Sequence, residues 1–200
     1  MSAVQLQPYN RCTPILVDLT GKGFKLTDTQ DGVWFDILAN GTLTKIPWPA
    51  EGEANAWLVL DRNHNGIIDD ATELFGNVTP QPKTSNPNGY LALAEFDKPA
   101  NGGNGDGVID LRDKIFNSLR LWIDKNHDGV SQPDELFPLA EFGIHALDLK
   151  YTTWPFTDPN GNEFRYRGYV EDAKGSHVVW VISQLPVTWH RQPFGNVTRL

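Results

Sequence analysis

The stretch Asp124-Lys125-Asn126-His127-Asp128-Gly129-Val130, carried on to Glu135, sets side-chain oxygens at its first, third and fifth positions, glycine at the sixth and glutamate at the twelfth. A calcium ion takes roughly six to eight oxygen ligands, and a short loop supplies them only by curling around the ion. Glycine permits the curl, the seventh residue offers its carbonyl, and the glutamate can bind through both oxygens. Asp124, Asn126, Asp128, the Val130 carbonyl and Glu135 therefore form one complete candidate ligand set.

Two incomplete copies lie upstream. In the first, Asp61, Asn63, Asn65, the Ile67 carbonyl and Asp69 fall into place around Gly66, but the glutamate, Glu73, comes one residue late. Asparagine at two ligand positions lowers the ligand charge, so weaker binding is expected than at the 124–135 loop. In the second, Asn104, Asp106, the Val108 carbonyl, Asp110 and Asp113 fit around Gly107, while the first position falls on Gly102, which has no side chain to offer. Residues 98–103 read as holding an insertion, with Asp97 folding back as the first ligand and Asn101 as a substitute. The stretches 18–23 and 36–41 look like decayed loops, with Lys22 and Leu38 at ligand positions; an ammonium repels a cation, so both are read as metal-free turns. His64 and His127, at position four of their loops, are expected to face solvent.

These loops need elements to hold them. Short apolar runs at residues 15–19, 33–37, 44–48 and 56–60 predict strands of a small antiparallel meander. From Asp61 the pattern becomes loop then helix, with helices expected at 71–75, 90–96, 111–121 and 133–142. The 111–121 helix would couple the second and third loops. Strands return at 144–151, 164–170 and 178–183, with turns at 158–161 and at Lys174-Gly175. The expectation is an α+β fold with EF-hand-like calcium loops on short helices, flanked by an N-terminal meander and C-terminal strands. Its organisation is an extension at 1–13, a single domain at 14–185 (ion loops 61–143, β-rich part 144–185) and a frayed tail at 186–200. The Trp and Phe residues, Trp34, Trp57, Trp122 and Trp180 among them, are read as core.

A formal charge of −8 and the lack of any Lys/Arg run argue against a nucleic-acid partner and leave the acids free for metal. No stretch approaches the length of a membrane span, and residues 1–11 carry no apolar run of signal-peptide length. The single cysteine, Cys12, allows no internal disulfide and reads as a buried or half-buried thiol, so bound ions are the candidate staples.

The blocks PILVDLTGKGF, GVWFDILANG, WLVLDRNHNGIIDDATELFG, GYLALAEFD, NGDGVIDLRD and LRLWIDKNHDGVSQPDELFPLAEFGIHALDLKY, in this order across residues 14–151, resemble the calcium-dependent self-processing modules of large secreted RTX proteins and their bacterial relatives. The resemblance implies a fold organised by Ca2+ and an exported or cell-surface setting. In processing members it implies cleavage of an Asp-Pro bond ahead of the first strand, by attack of the aspartate carboxyl on its own peptide carbonyl. Here that bond is Thr13-Pro14, so the attacking carboxylate is absent; the Asp158-Pro159 bond reads as part of a hairpin turn. Linked loops of this kind also occur in dockerin-like adhesion modules, which leaves a protein partner open beside calcium.

Overall fold

The computed structural model describes residues 13–172 and 177–184. In chain order its strands are β1 (Ile15–Asp18), β2 (Val33–Phe35), β3 (Thr44–Ile46), β4 (Asn55–Val59), β5 (Val108–Asp110), β6 (Arg120–Trp122), β7 (Leu136–Pro138), β8 (Ile144–Asp148), β9 (Thr152–Thr157), β10 (Glu163–Asp172) and β11 (His177–Gln184). One short helix, α1 (Gly89–Ala94), lies between β4 and β5. Nine strands form one sheet in the order β5-β8-β10-β11-β1-β4-β6-β7, with β9 also paired to β10, and β2 and β3 make a separate hairpin.

The sheet is buried on both faces at its centre, which is why β1 and β4 read as continuous apolar runs. Ile15, Val17, Ala56 and Leu58 pack on one side with Phe75, Tyr90, Leu93, Phe116 and Leu139. Leu16, Trp57, Val59 and Trp122 face the other side and are covered by Val33, Phe35, Ile46 and Trp48 of the β2–β3 hairpin region. The Trp48 ring lies 5.1 Å from that of Trp57 and 5.2 Å from that of Trp122. Asn88 caps α1 by accepting the N–H groups of Tyr90 and Leu91, so even six residues hold as a helix against the sheet.

The α+β expectation is overturned, because the fold is predominantly β. Of the four expected helices only that at 90–96 exists, as α1. Residues 71–75 form turns ending in a bridge between Val59 and Leu74. Residues 111–121 pass through a turn and a single 3-10 turn, Phe116–Ser118, into β6, which pairs with β4 at Trp57↔Trp122 and Leu58↔Leu121. Residues 133–142 are two 3-10 turns on either side of β7. Helical spacing of Leu111, Ile115, Phe116, Leu119 and Trp122 was outweighed by sheet pairing, which buries Leu121 and Trp122 while leaving Leu111 69% exposed. Pro138, in the interior of the expected 133–142 helix, further disfavours it. With no loop among the described residues flanked by α-helices on both sides, and only α1 preceding one of them, the EF-hand-like description also fails.

The expected N-terminal strands exist but do not form a meander. β1 and β4 pair with each other inside the large sheet, whereas β2 pairs only with β3. At the C-terminal side β8, β10 and β11 match expectation, and the turn at 158–161 makes the β9–β10 hairpin, with the Gly161 N–H on the Asp158 carbonyl at 3.0 Å. The Lys174-Gly175 turn, Cys12 and the tail lie outside the described residues. Among the described residues no helix is long and apolar enough to cross a membrane.

Candidate functional site

The loop at 124–135 is a strand-to-strand connection. β6 runs in and β7 runs out, paired at Trp122↔Leu136, and the Ile123 N–H reaches the Glu135 carbonyl at 3.0 Å. Inside it, the Asp124 carboxylate accepts the N–H groups of Asp128 at 3.2 Å and Gly129 at 2.8 Å. Glu135 accepts the Lys125 N–H at 2.8 Å on one oxygen, and on the other the Gln132 N–H at 3.2 Å and the Trp122 indole N–H at 3.4 Å. Both carboxylates are buried, whereas Asn126, Asp128 and Val130 stand exposed at the rim.

The loop at 61–73 repeats this plan. Asp61 accepts the N–H groups of Asn65 at 3.2 Å and Gly66 at 2.9 Å, and Glu73 accepts those of Arg62 and Asp69, each at 2.9 Å. Arg62 and Lys125 are both second residues, and Asp69 and Gln132 both ninth. The one-residue delay of Glu73 is absorbed by a turn in which Asp70 accepts the Thr72 N–H and hydroxyl. Leu60 then closes onto the Glu73 carbonyl at 2.9 Å, as Ile123 does in the other loop.

At 97–113 Asp97 does fold back, accepting the N–H groups of Gly105 and Gly107 at 2.9 Å each. The inserted segment presses on it so closely that a Cβ on Gly103 would sit 2.2 Å from the Asp97 carbonyl oxygen. Asn101 is no substitute ligand, since its amide donates to the Glu95 carbonyl at 2.6 Å. Asp113 closes this loop, accepting the N–H groups of Asn104 at 3.1 Å and Asp110 at 2.9 Å. The exposed Arg112 pairs with Asp110 at 2.5 Å and Asp106 at 2.6 Å, and its hydrogen bond holds the Asp110 carboxyl below the ordinary range.

Three loops thus each end in a buried acid, Glu73, Asp113 or Glu135, fixed by two main-chain N–H groups. Among the described residues no group of three or more His, Cys, Asp or Glu side chains is arranged to hold a metal by itself. The donors are instead mixed. Carboxylates alternate with asparagine amides, and the Ile67 and Val130 carbonyls accept no hydrogen bond among the described residues. In each loop an asparagine NH2 donates into a carboxylate: Asn65 to Asp69 at 2.8 Å, Asn104 to Asp106 at 3.0 Å and Asn126 to Asp128 at 2.9 Å. Hard, uncrowded oxygens of this kind suit calcium rather than a soft metal. Electrostatics agree with that donor chemistry. Burial raises the Asp124 carboxyl above its ordinary range, with Glu135 and Asp128 adding repulsion, and burial likewise raises Glu73, with Asp69 adding.

The loops that touch are the first and third, not the second and third. The Ile68 N–H donates to the buried Ser131 hydroxyl at 2.6 Å, joining the eighth residue of one loop to the eighth of the other. Ser131 was not singled out from sequence; its polarity opposite an isoleucine at the same loop position was the available signal. His127 is half-buried rather than solvent-facing, with its ring nitrogens 3.0 Å from the Pro49 carbonyl oxygen and 2.9 Å from that of Asp31. His64 is exposed, as expected. Of the tryptophans read as core, Trp57 and Trp122 are fully buried and Trp34 is partly so; Trp154, with Phe156, is instead exposed.

A comparison with curated proteins finds the iron-regulated protein FrpA of Neisseria meningitidis serogroup C to be 37% identical over 171 residues, covering 84% of this chain. The chain spans about 15% of the length of that relative. The model of the SPM domain family matches residues 15–181, from the first residue of β1 into β11 and across all three loops, and the chain therefore belongs to the SPM domain family.

Proposed function

We infer that this chain is a calcium-binding structural or interaction module whose sheet is stabilised by Ca2+ in the loops at 61–73, 97–113 and 124–135. The observation that carries this reading is the buried acid closing each loop, placed by two main-chain N–H groups and set opposite the loop's first aspartate. Asp124, Asn126, Asp128, the Val130 carbonyl and Glu135 would hold one ion. Asp61, Asn63, Asn65, the Ile67 carbonyl, Asp69 and Glu73 would hold a second. Asp97, Asn104, Asp106, the Val108 carbonyl, Asp110 and Asp113 would hold a third, in competition with Arg112. Bound calcium supplies positive charge that crosslinks the strands entering and leaving each loop.

The loops already curl through their own hydrogen bonds, so the work of binding falls on the asparagine amides, which must turn their oxygens inward. The 124–135 loop, with aspartate at its fifth position where the first loop has Asn65 and no cation placed like Arg112 or like Arg62 near Glu73, is the tightest site. Millimolar calcium outside cells, and the resemblance to modules of RTX proteins, point to an exported setting. The aspartate that self-processing would require ahead of β1 is Thr13 here, so the reading stops at binding, and incubation with calcium is expected to leave the chain intact on a gel.

The test is a calcium titration of the chelated chain followed by near-UV circular dichroism and by mass spectrometry under native conditions. Retained ions and a changed tryptophan signal are expected, because the Trp122 indole touches Glu135. No retained ion and no spectral change up to about 10 mM, beyond the weak extracellular range, would overturn the reading.

A further inference from the structure

Away from the loops, the β9–β10 hairpin exposes a face that the β2–β3 hairpin does not cover. All six residues of β9 are exposed, with Trp154 at 50% and Phe156 at 51%. Register puts Phe156 opposite Phe164 and Thr152 opposite Arg167. A bulge opposite Phe164–Tyr166 interrupts the alternation of β9, and Trp154 and Phe156 both line one groove with Phe164 and Arg167. Phe24 closes the end of this row, its ring 5.6 Å from that of Phe164. Gly23, Phe24, Trp154, Phe156, Phe164 and Arg167 enclose an open groove of about 370 Å³.

Arg167 sits in this groove with its guanidinium 4.0 Å from the Trp154 ring centre and 5.4 Å from that of Tyr169. Its Nε is buried and has no hydrogen-bond partner among the described residues. The buried Nε is closed to a ligand, so the edge that the guanidinium, stacked on Trp154, offers to an acceptor is the one formed by its two Nη groups. A carboxylate is the acceptor that matches that edge best, by paired charge-assisted bonds. The walls limit the rest of the occupant. Four aromatic rings present almost no hydrogen-bonding groups beyond the indole N–H, so a polyhydroxylated ligand would leave its hydroxyls unmatched, whereas an apolar body would bury surface.

We propose that this groove binds an apolar carboxylate, a small molecule or chain end with an aromatic or acyl body and one carboxyl group, the carboxylate on Arg167 and the body between Trp154, Phe156 and Phe24. It is independent of the calcium loops. The occupant is anionic although the chain carries a formal −8, so the site depends on local charge at Arg167 rather than on a field over the whole surface.

The experiment compares N-acetylphenylalanine with its uncharged amide by chemical-shift titration of the whole chain, once in chelator and once in saturating calcium. The two probes share one aromatic body and differ in charge. Expected is binding of the acid at least about tenfold tighter than the amide, in both conditions, with shifts at the Trp154 indole N–H and the Phe156 and Arg167 amides. Arg167→Met should bring the acid down to the level of the amide, and Trp154→Ala should weaken both. Equal affinity of the two probes for the unaltered chain would overturn the proposal, whatever the variants do. So would shifts confined to the loops at 61–73, 97–113 or 124–135, or no binding up to about 20 mM, where even a weak fragment registers.

Discussion

At residues 18–23 and at residues 124–135 a buried aspartate accepts the N–H of a glycine five residues on, at 2.6 Å for Asp18 and Gly23 and 2.8 Å for Asp124 and Gly129. In the first turn the other carboxylate oxygen is filled by the Thr20 N–H and hydroxyl and the Gly21 N–H. The neutral Asn55 then fastens the end, accepting the Lys25 N–H and donating to the Gly23 carbonyl. In the second, the fastener is another buried carboxylate, Glu135, with Asp128 close by. The aspartate-to-glycine bond is therefore common to both turns and does not distinguish them. What separates the two turns is the closing residue, the carboxylate Glu135 in one and the neutral Asn55 in the other.

The largest test of that difference uses calcium itself. If the 124–135 loop binds at one hundred times its Kd, the folded state gains about 2.7 kcal/mol, and Tm rises by about 5–10 °C for a chain of this size. Asp124→Ala combined with Glu135→Ala should remove most of the calcium-dependent rise in a thermal melt. Asp18→Ala should lower Tm in chelator yet leave the rise intact. A full rise in the double variant would move the important site elsewhere.

A smaller effect separates the two glycines. Both have positive φ, +96° for Gly23 and +74° for Gly129, so alanine is strained at either by about 1 kcal/mol. A Cβ at Gly23 meets nothing within 4 Å, whereas at Gly129 it would lie 2.9 Å from the Trp34 carbonyl oxygen and from a Val33 methyl. Gly129→Ala should therefore cost roughly 2–4 kcal/mol against about 1 kcal/mol for Gly23→Ala, read from urea unfolding midpoints. Equal costs would mean that the third loop is not seated on β2 as tightly as these distances require.

Smaller again is the bond between loops. Ser131→Ala leaves the Ile68 N–H without its acceptor in a buried position, at a cost of about 1–2 kcal/mol. The same change should also uncouple the first loop from the third, so that calcium titrates in two separated steps. An unchanged single step would show that the coupling does not run through Ser131.

The curl of the loops was legible because the spacing that produces it is local: Asp124 to Glu135 lie within one turn of chain, and Asp97 could be recognised past its insertion by the surviving pattern after it. The strands at 15–19, 33–37, 44–48 and 56–60 were legible for the same reason, through short apolar runs. Their pairing was not, since the choice between a meander and the β1–β4 contact depends on Trp57 meeting Leu16 and Trp122 across distant parts of the chain. The helices predicted at 111–121 and 133–142 failed on the same point. Apolar residues at 115, 116, 119 and 122 fit a helical stripe, but β4 offered Leu121 and Trp122 a fully buried partner strand, and tertiary burial outweighs weak helix propensity. Ser131 escaped notice, and His127 was wrongly expected to face solvent, because their partners, Ile68, Pro49 and Asp31, lie far away in sequence.

The smallest effect, and the one that isolates the electrostatic half of the comparison, is on pH. In chelator, the Asp124 carboxyl is held above its ordinary value by burial first, with Glu135 and Asp128 adding. A carboxyl whose folded pKa is raised contributes stability that is fully present below the unfolded value and is lost as pH rises through the folded one. Asp124→Asn cannot ionise and escapes that loss. Stability of the variant relative to the unaltered chain, taken from denaturant midpoints in chelator, should therefore increase as pH is raised from about 3 to 7. In saturating calcium the sign reverses, because the ion needs the deprotonated oxygen and the variant lacks it, so the unaltered chain should gain on the variant over the same interval. A flat difference in chelator would mean that the N–H groups of Asp128 and Gly129 compensate the ionised Asp124 in full. The closing glutamate would then be a fastener of the same kind as Asn55 rather than a source of charge awaiting a cation.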